Sequence, residues 1–399
     1  MVKKLLSFGI IDNIPKVLKF FIYPILYSYG YGNWLGQFIL HGSAAVLLAY
    51  VFTAPLPTMM SKMHDYFEEG DSNIAGLKLM FVDIPAVVLV IIYYLCKDII
   101  DRDYVWIIYL FWLNANGILY KRFFLLRNKI TNYLVVVIST QVLPVVVFFL
   151  FKLYQDYTIF QTFVFLVTFI SLFRINSIEG PVLMEVKKAA SLIPYKLSNW
   201  ALAQGDRWII DSFNGPTMVA LYSIVYQSVS LVNSLGAVWV NVSFKRIYRN
   251  GDGDIQIGNM ALELSRITPL ILGLGFLACI ALETKFEGNL GLVVLLLTAA
   301  FILQTKIVLV FNYFVSKSYY KGIALIQIAV SLVYLIITYF LVYYLGILGA
   351  AYAIYLGYSI LIIVYYVYSK YIGSYLNLSF QYDFLGLIVI ILTQCYLAF

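Results

Sequence analysis

Apolar segments long enough to cross a lipid bilayer recur along the whole length of this chain of 399 residues. A helix of about 20 apolar residues spans the hydrocarbon core, where the backbone must satisfy its own hydrogen bonds. The sequence therefore predicts an all-α polytopic membrane protein of about 12–13 transmembrane helices. We place these helices near residues 8–30, 34–56, 76–96, 104–120, 130–151, 158–174, 190–212, 217–241, 260–282, 290–314, 322–345, 347–369 and 383–398.

Lysine and arginine are unevenly distributed between alternate connections. The set of connections that begins with the N-terminus holds 15 of them, whereas the opposite set holds 4. Because basic loops stay in the cytoplasm, we expect a cytoplasmic N-terminus, with the loops at 57–75, 121–129 and 243–258 on the same side. The net charge of +7 then reports topology, and we expect no nucleic-acid partner.

Two consecutive predicted helices, 190–212 and 217–241, carry polar residues on one face. At about 100° per residue, the polar side chains of the first lie within about 160° of one another, and those of the second within about 60°. They are Lys196, Asn199, Gln204, Asp206, Arg207 and Asp211 in the first, and Ser223, Gln227, Ser230, Ser234 and Asn241 in the second. An ion at mid-bilayer costs roughly 2.5–3.5 kcal/mol, so the pattern favours a hydrophilic path between helices. Hydrogen bonding between helices, or an i,i+4 pair of Arg207 with Asp211, are the structural alternatives.

Further bases lie inside predicted spans. The first span places Asp12, Lys16 and Lys19 on one face, and Lys306 lies about two turns inside its span. Lys16 is close enough to the end of its span to reach the interface, whereas Lys19 lies one turn deeper. Lys306 could extend to the interface or face the interior of the bundle. The bases Lys19, Lys196, Arg207 and Lys306 outnumber the acids available to pair with them, an excess that suits an anionic head group.

Several kinds of chemistry find no support in the sequence. The three cysteines and two histidines lack metal or disulfide spacing, and no phosphate-binding glycine motif is present. The predicted external connections are too short for the donor or acceptor site of a membrane glycosyltransferase or polymerase. We therefore expect no enzyme activity, no metal and no cofactor.

Three stretches resemble bacterial polysaccharide flippases of the multidrug/oligosaccharidyl-lipid/polysaccharide superfamily, which are related to MATE-type exporters. The first is IPYKLSNWALAQGDRWIIDSFNGPTMVALYSIVYQ, with Pro194, Asp206-Arg207, Asn214-Gly215 and Tyr222-Ser223 at the matching positions. The others are FFIYPILYSYGYGNW at 20–34 and YLGILGAAYAIYLGYS at 344–359. Their order along the chain agrees with that of the family.

The resemblance implies a MATE-like fold of two six-helix lobes around a central cavity. We expect an N-terminal helical lobe at 1–180, a C-terminal lobe at 190–370, and a tail at 371–399 with a possible extra helix. It also implies a multi-pass protein of the bacterial inner membrane that works by alternating access. The implied substrate is an undecaprenyl-diphosphate-linked oligosaccharide, moved to the outer leaflet for O-antigen, capsule or exopolysaccharide biosynthesis.

The leading interpretation is thus a flippase whose basic residues hold the diphosphate and whose polar faces solvate the sugars. The substrate-binding candidates are Lys19, Lys196, Asn199, Arg207, Ser223, Gln227 and Lys306. Asp206 and Asp211 are candidates for coupling or for pairing with Arg207. The expected partners are the lipid-linked oligosaccharide, membrane lipids and the polysaccharide polymerase machinery. The alternatives are a MATE-type drug or cation exporter, which would favour an acidic cavity, and an O-antigen polymerase, which would need a long external loop.

Overall fold

A computed structural model describes most of the chain. The described residues are 2–62, 72–96, 104–127, 129–144, 182, 184, 186, 187, 190, 193–230, 290–316 and 319–372. Regular structure in these residues is entirely helical, and they include no β-strand. The predicted all-helical fold is confirmed. The predicted spans 158–174, 260–282 and 383–398 lie outside the described residues.

Eleven helical segments follow one another along the described parts of the chain. They are α1 (Val2–Leu26), α2 (Gly32–Thr53), α3 (Pro55–Lys62), α4 (Ser72–Lys78), α5 (Ile84–Leu95), α6 (Tyr104–Leu126), α7 (Ile130–Val137), α8 (Ile193–Asn214), α9 (residues 216–230), α10 (Leu290–Ser316) and α11 (Tyr320–Tyr371). Three single π-helical turns, Tyr27–Tyr31, Leu79–Asp83 and Ile138–Val142, continue the helices beside them.

Four described segments are long and apolar enough to cross a membrane. They are Ile11–Thr53, Gly76–Leu95, Leu290–Phe311 and Lys321–Tyr371. The helices α6 and α8 also coincide with predicted spans, but both are less apolar. In α8 the cause is the set of charged residues that the sequence places on one face.

Two of these four segments are about twice as long as one crossing requires. Ile11–Thr53 has 43 residues and Lys321–Tyr371 has 51. Each is interrupted by a glycine with positive φ, at Gly30 (φ 84°) and at Gly346 (φ 57°, ψ −134°). Only glycine adopts such angles without strain, so each interruption separates two helices at a position where the sequence predicts a boundary between spans.

The chain divides into two compact units. The C-terminal unit comprises Met1–Gly9, Lys19–Gly36 and Ala201–Phe399, and the N-terminal unit comprises Ile10–Leu18 and Gln37–Trp200. Helices α1, α2 and α8 therefore contribute residues to both units. The lobe boundaries given above, 1–180, 190–370 and a tail at 371–399, stay a prediction.

In the C-terminal unit, α10 lies in the interior. Its residues 291–303 are buried on every side of the helix, as expected for a helix that is apolar all round. The first half of α11 has two contrasting faces. Leu332, Ile336 and Phe340 are 57%, 60% and 56% exposed, which fits contact with lipid, whereas the opposite face is buried and partly polar.

In the N-terminal unit, a well-packed core joins α3, α4 and α6. Its buried members are Leu56, Met59, Met60, Ile74, Leu77, Leu119, Phe123, Val182 and Val186. A second contact, between the rings of Phe52 and Phe111 at 5.6 Å, joins α2 to α6. A hydrogen bond from Trp200 Nε1 to the carbonyl oxygen of Ser43 (2.9 Å) ties the first half of α8 to α2.

Candidate functional site

The most deeply buried acid on α8 is Asp206, whose exposed fraction is 0%. Its Oδ1 accepts a hydrogen bond from the backbone N–H of Arg207 (2.9 Å), and its Oδ2 accepts one from the hydroxyl of Tyr222 on α9 (2.5 Å). A buried carboxylate is costly unless it is hydrogen-bonded, so Tyr222 is a necessary partner. The bond also joins α8 to α9 inside the C-terminal unit.

The next residue, Arg207, is 5% exposed and is held differently. Its guanidinium carbon lies 4.7 Å from the ring centroid of Tyr226, a cation–π geometry. The Tyr226 ring in turn packs edge-on against Phe301 of α10, with centroids 5.0 Å apart. Within the described part of the chain, Arg207 has no ion pair with Asp206 or Asp211, and its Nε has no hydrogen-bond partner. The guanidinium is therefore held against the face of an aromatic ring, and its N–H groups are not paired with a described carboxylate.

Hydroxyl groups surround this pair. The charge of Asp206 acts on the phenols of Tyr222, Tyr226 and Tyr334, and the charge of Arg207 acts on Tyr23 of α1. Tyr23 and Tyr334 are 4% and 1% exposed. We call the group Asp206, Arg207, Tyr222, Tyr226 and Tyr334 the Arg207 site. It offers one cation, one anion and several hydroxyls in an environment shielded from water.

Tyr334 belongs to a polar stripe on the buried face of α11 that the sequence analysis missed. Its members at i, i+4, i+7 and i+11 are Gln327, Ser331, Tyr334 and Thr338, all at most 4% exposed. The hydroxyl of Tyr365 donates to Oε1 of Gln327 (2.8 Å). The same spacing was visible in the sequence within an otherwise apolar span, and it could have identified these residues.

Glycines allow α11 to approach the site. A Cβ on Gly205 would lie 2.8 Å from Cδ2 of Leu335, and one on Gly357 would lie 2.7 Å from Cδ2 of Tyr334. Distances below 3.0 Å are too short for real Cβ atoms, so a side chain at either position would displace its neighbour. Gly205 directly precedes Asp206, and this close packing therefore positions Tyr334 relative to the carboxylate.

The other predicted site residues of the C-terminal unit lie on four helices. Ser223 is buried on α9, and no described group is within hydrogen-bond distance of its Oγ. Gln227, also on α9, accepts hydrogen bonds from the Ser230 hydroxyl at its carbonyl oxygen (2.9 Å) and at Oε1 (3.3 Å). Lys306 is 2% exposed on α10. Lys19 of α1 and Asp211 of α8 are half-buried.

Two predicted site residues, Lys196 and Asn199, belong to the N-terminal unit. Both are half-buried on the first half of α8. Nζ of Lys196 lies 5.7 Å from the ring centroid of Tyr195, and the charge of Arg122 acts on the lysine. The part that these two residues play in substrate binding stays a prediction.

The N-terminal unit contains a buried ionic group that the sequence analysis also missed. Asp83, whose side chain is 2% exposed, pairs with Nζ of Lys78 at 3.0 Å and accepts a hydrogen bond from Trp112 Nε1 at 3.1 Å. Asp83 ends the π-helical turn Leu79–Asp83, and Lys78 directly precedes that turn. Its signal in the sequence is one acid in the apolar stretch LMFVDIP. Both carboxylate oxygens are occupied, which indicates a structural role.

Metal binding finds no support in the described residues, among which no three His, Cys, Asp or Glu side chains are grouped closely enough to hold an ion. The arrangement at the Arg207 site can instead bind an anion through the guanidinium and hydroxyl-bearing molecules through the phenols.

Comparison with known proteins gives matches in structure alone. No protein-family model matches the chain, and no curated protein matches its sequence. The lipid II flippase MurJ, in an inward closed conformation, matches at 14% identity and TM-score 0.62, over 97% of this chain and 96% of that one. A MATE protein in complex with Br-NRF matches at 13% identity and TM-score 0.58, over 94% and 96%. An outward-facing multidrug resistance MATE family transporter of the MOP superfamily matches at 11% identity and TM-score 0.53, over 95% and 97%.

These likenesses extend over nearly the full length of each chain, and they agree with the apolar helices described above. At such low identity they establish the fold and not the substrate. The chain is a multi-pass membrane protein with the helical fold of the MATE transporters and of MurJ.

Proposed function

We propose that this protein is a flippase of the MOP superfamily that moves undecaprenyl-diphosphate-linked oligosaccharides from the cytoplasmic to the outer leaflet. The proposal rests mainly on the environment of the Arg207 side chain. This residue is a buried cation stacked on Tyr226, and no described carboxylate pairs with it. The charge of Arg207 acts on Asp206, but no carboxylate oxygen of the described chain lies within 4.0 Å of the guanidinium. A buried cation held in this way is suited to an anionic ligand that arrives during the transport cycle.

The diphosphate is the part of such a substrate that Arg207 would bind. A guanidinium presents paired donors to phosphate oxygens, and hydrogen bonds between two ions are about twice as strong as neutral ones. Tyr23, Ser223 and Tyr334 would donate to or accept from sugar hydroxyls. In this proposal Lys19 and Lys306 of the C-terminal unit supply further positive charge, and Gln227 supplies further hydrogen bonds. Lys196 and Asn199 of the N-terminal unit stay predicted substrate contacts by themselves.

Asp206 has a supporting part in this proposal. Through the backbone N–H of Arg207 and the hydroxyl of Tyr222 it fixes the turn of α8 that carries the guanidinium. Asp211, one turn further along α8, is the candidate for carrying a coupling proton, because its Oδ1 is buried with no hydrogen-bond partner in the described chain.

The likeness to MurJ supports this substrate class, since that protein is a lipid II flippase. Surface polysaccharide biosynthesis in the bacterial inner membrane is the setting in which such an activity is used. The polymerase that joins the delivered repeat units is the partner we propose for it.

Deletion of the gene tests the proposal in cells. We expect surface polysaccharide to stop while lipid-linked single repeat units accumulate on the cytoplasmic leaflet. Normal delivery of single units to the outer leaflet, with failure only of chain elongation, would contradict a flippase and favour a polymerase.

The second candidate is export of organic cations, and the buried Oδ1 of Asp211 favours it. This carboxylate oxygen has no hydrogen-bond partner and no basic side chain within 4.0 Å in the described chain, so it could hold a cationic drug. The MATE transporters that match in structure include one described as a multidrug resistance transporter. The two candidates differ in phenotype: loss of an exporter raises sensitivity to cationic drugs and leaves surface polysaccharide intact.

A further inference from the structure

One apolar segment of the N-terminal unit contains an irregular turn with a charged residue at each end. The π-helical turn Leu79–Asp83 lies between α4 and α5, inside the segment Gly76–Leu95. The backbone N–H of Ile84 donates to the carbonyl oxygen of Leu79, five residues earlier. Such turns are rare and occur mostly as single turns inside α-helices, frequently at functional sites. This turn therefore holds one residue more than a turn of regular α-helix.

The ion pair of Lys78 with Asp83 matches the π turn. Nζ and Oδ2 are 3.0 Å apart, although the two residues are five positions apart in the chain. On an α-helix the residues that face each other are three or four positions apart, and at about 100° per residue the fifth lies about 140° around the helix. In a π turn the backbone hydrogen bond itself joins positions i and i+5, which brings the two side chains to one face. An α-helical register would separate this pair.

Trp112 of α6 contacts both ends of the turn. Its Nε1 donates to Oδ1 of Asp83 (3.1 Å), and its ring centroid lies 5.9 Å from Nζ of Lys78. The side chain of Asp83 is 2% exposed, and a buried carboxylate is costly unless its hydrogen bonds are retained. The side chain of Lys78 is 20% exposed, so the lysine is the partner that can withdraw toward water. These contacts favour the π register.

Backbone hydrogen bonding does not decide between the two registers. An α-helical turn would regain the regular i→i−4 pattern, but it would press the ring of Pro85 against the carbonyl group of Phe81. Lys78, Asp83 and Ile84 all have right-handed helical angles, so a change of register requires only small rotations of the backbone. Because the two backbone effects oppose each other, the side-chain contacts of Asp83 set the register.

We propose that Leu79–Asp83 is a two-register switch: the Lys78–Asp83 pair holds the π turn, and opening of the pair converts it to an α-helical turn. Because the α-helical turn holds one residue fewer, α5 rotates by about 100° relative to α4 and shifts by about 1.5 Å. Ile74 and Leu77 fix α4 in a core with α3 and α6, whereas three of the twelve residues of α5 are buried, so α5 is the part that turns. Each residue of α5 then takes the position around the helix that the next residue held. The switch goes beyond the proposed function, since it applies to either candidate substrate.

Nitroxide labels on α5 test the proposal in the full-length protein in lipid nanodiscs, with oxygen accessibility measured by electron paramagnetic resonance. In the wild type a label at Ile92, which is 47% exposed, should be more accessible than one at the half-buried Val90. Asp83→Asn keeps the shape of the side chain and removes its charge. Accessibility should then fall at position 92, which takes the buried position of Tyr93, and rise at position 90, which takes the exposed position of Ile91. The pattern along α5 shifts by one residue.

Asp12→Asn is the matched control. It removes an acid from a second ion pair of the N-terminal unit, with Lys121 at 3.1 Å, and leaves the turn unchanged. This variant should keep the wild-type pattern of accessibility. An unchanged pattern in Asp83→Asn would overturn the proposal, because the register would then be set by Pro85 and not by the ion pair. Accessibility that rises at both labelled positions indicates unfolding of α5, and a deletion then decides.

Deletion of Met80 removes the extra residue from the turn. The turn becomes α-helical without rotation of α5, and Lys78 and Asp83 become i,i+4 neighbours, which pair on an α-helix. We therefore expect the wild-type pattern of accessibility. Deletion of Val88, within the regular part of α5, should rotate the residues that follow and lower the unfolding temperature more, since deletion of Met80 disturbs only the fit of Pro85. An equal or larger loss on deletion of Met80 would overturn the proposal.

Discussion

Asp206 and Arg207 are consecutive on α8, yet they do not neutralise each other as an ion pair. Asp206 is held by Tyr222 and by a backbone N–H, whereas Arg207 is held by the face of Tyr226. In the described chain no ion pair joins Arg207 to Asp211 either, so the structure does not support the alternative that Arg207 serves to pair with Asp211. Asp206 and Arg207 are therefore held by different contacts, so we expect substitutions that affect one of them to have different effects from substitutions that affect the other.

Arg207→Ala should abolish transport, measured as a loss of at least tenfold in activity. We expect the variant still to be expressed and inserted into the membrane. Arg207→Lys should restore only part of the activity, because an ammonium lacks the paired donors of the guanidinium. The measurement is restoration of surface polysaccharide in a deletion strain, normalised to membrane abundance.

The double variant Arg207→Ala with Asp211→Asn separates a binding role from a structural one. If Arg207 only compensated Asp211, the neutral pair would recover both folding and transport. We expect the double variant to fold and to transport no better than Arg207→Ala alone. Full recovery of both would show that Arg207 is a structural residue.

Tyr222→Phe should lower the free energy of unfolding by about 1.5–3 kcal/mol, the range for losing a hydrogen bond to a charged group. The reason is that the buried Asp206 carboxylate loses one of its two donors. Tyr226→Phe is the matched control, since it keeps the ring beneath Arg207 and removes a hydroxyl from the adjacent turn of α9. Denaturation in detergent compares the two, and an equal loss in both would contradict the assigned role of Tyr222.

At the scale of the helices, close backbone contact limits what the packing tolerates. A Cβ on Gly36 of α2 would overlap the backbone carbonyl of Pro216 at the start of α9. A Cβ on Gly42, six residues later on the same helix, would meet nothing within 4 Å. The two glycines thus provide an internal comparison.

Gly36→Ala should destabilise the protein by about 1–3 kcal/mol, the usual cost of forcing extra volume into a packed site. Gly42→Ala should be neutral or stabilise by up to about 1 kcal/mol, because alanine favours helix over glycine. Thermal unfolding in detergent measures both changes. Equal tolerance of the two substitutions would contradict the close approach of α2 to Pro216.

The helices themselves were predictable, because each apolar segment must form one in lipid and the boundaries follow from glycine, proline and charge. Gly30 and Gly346 interrupt their segments where the sequence indicated ends of spans. The partners of the charged residues were not predictable. Nothing in the sequence near Asp83 indicates that Trp112, 29 residues later, donates to it. The i, i+4, i+7 spacing of the polar residues in α11 is present in the sequence. It was overlooked because the residues around Tyr334 are strongly apolar.

For the whole molecule, the bias of 15 basic residues against 4 in alternate connections predicts the topology. Reporter fusions should place the loops at 57–75, 121–129 and 243–258 in the cytoplasm. Periplasmic reporter activity in the loop after Lys121 would reverse the orientation.

Translocation in vesicles tests the flippase account most directly. The purified protein is reconstituted into liposomes with a fluorescent polyprenyl-diphosphate-linked oligosaccharide, and the fraction of sugar accessible to an external quencher is followed with time. We expect rapid equilibration between leaflets with the wild type, and none above the protein-free rate with Arg207→Ala. Equilibration at the protein-free rate with the folded wild type, or undiminished transport by Arg207→Ala, would contradict it.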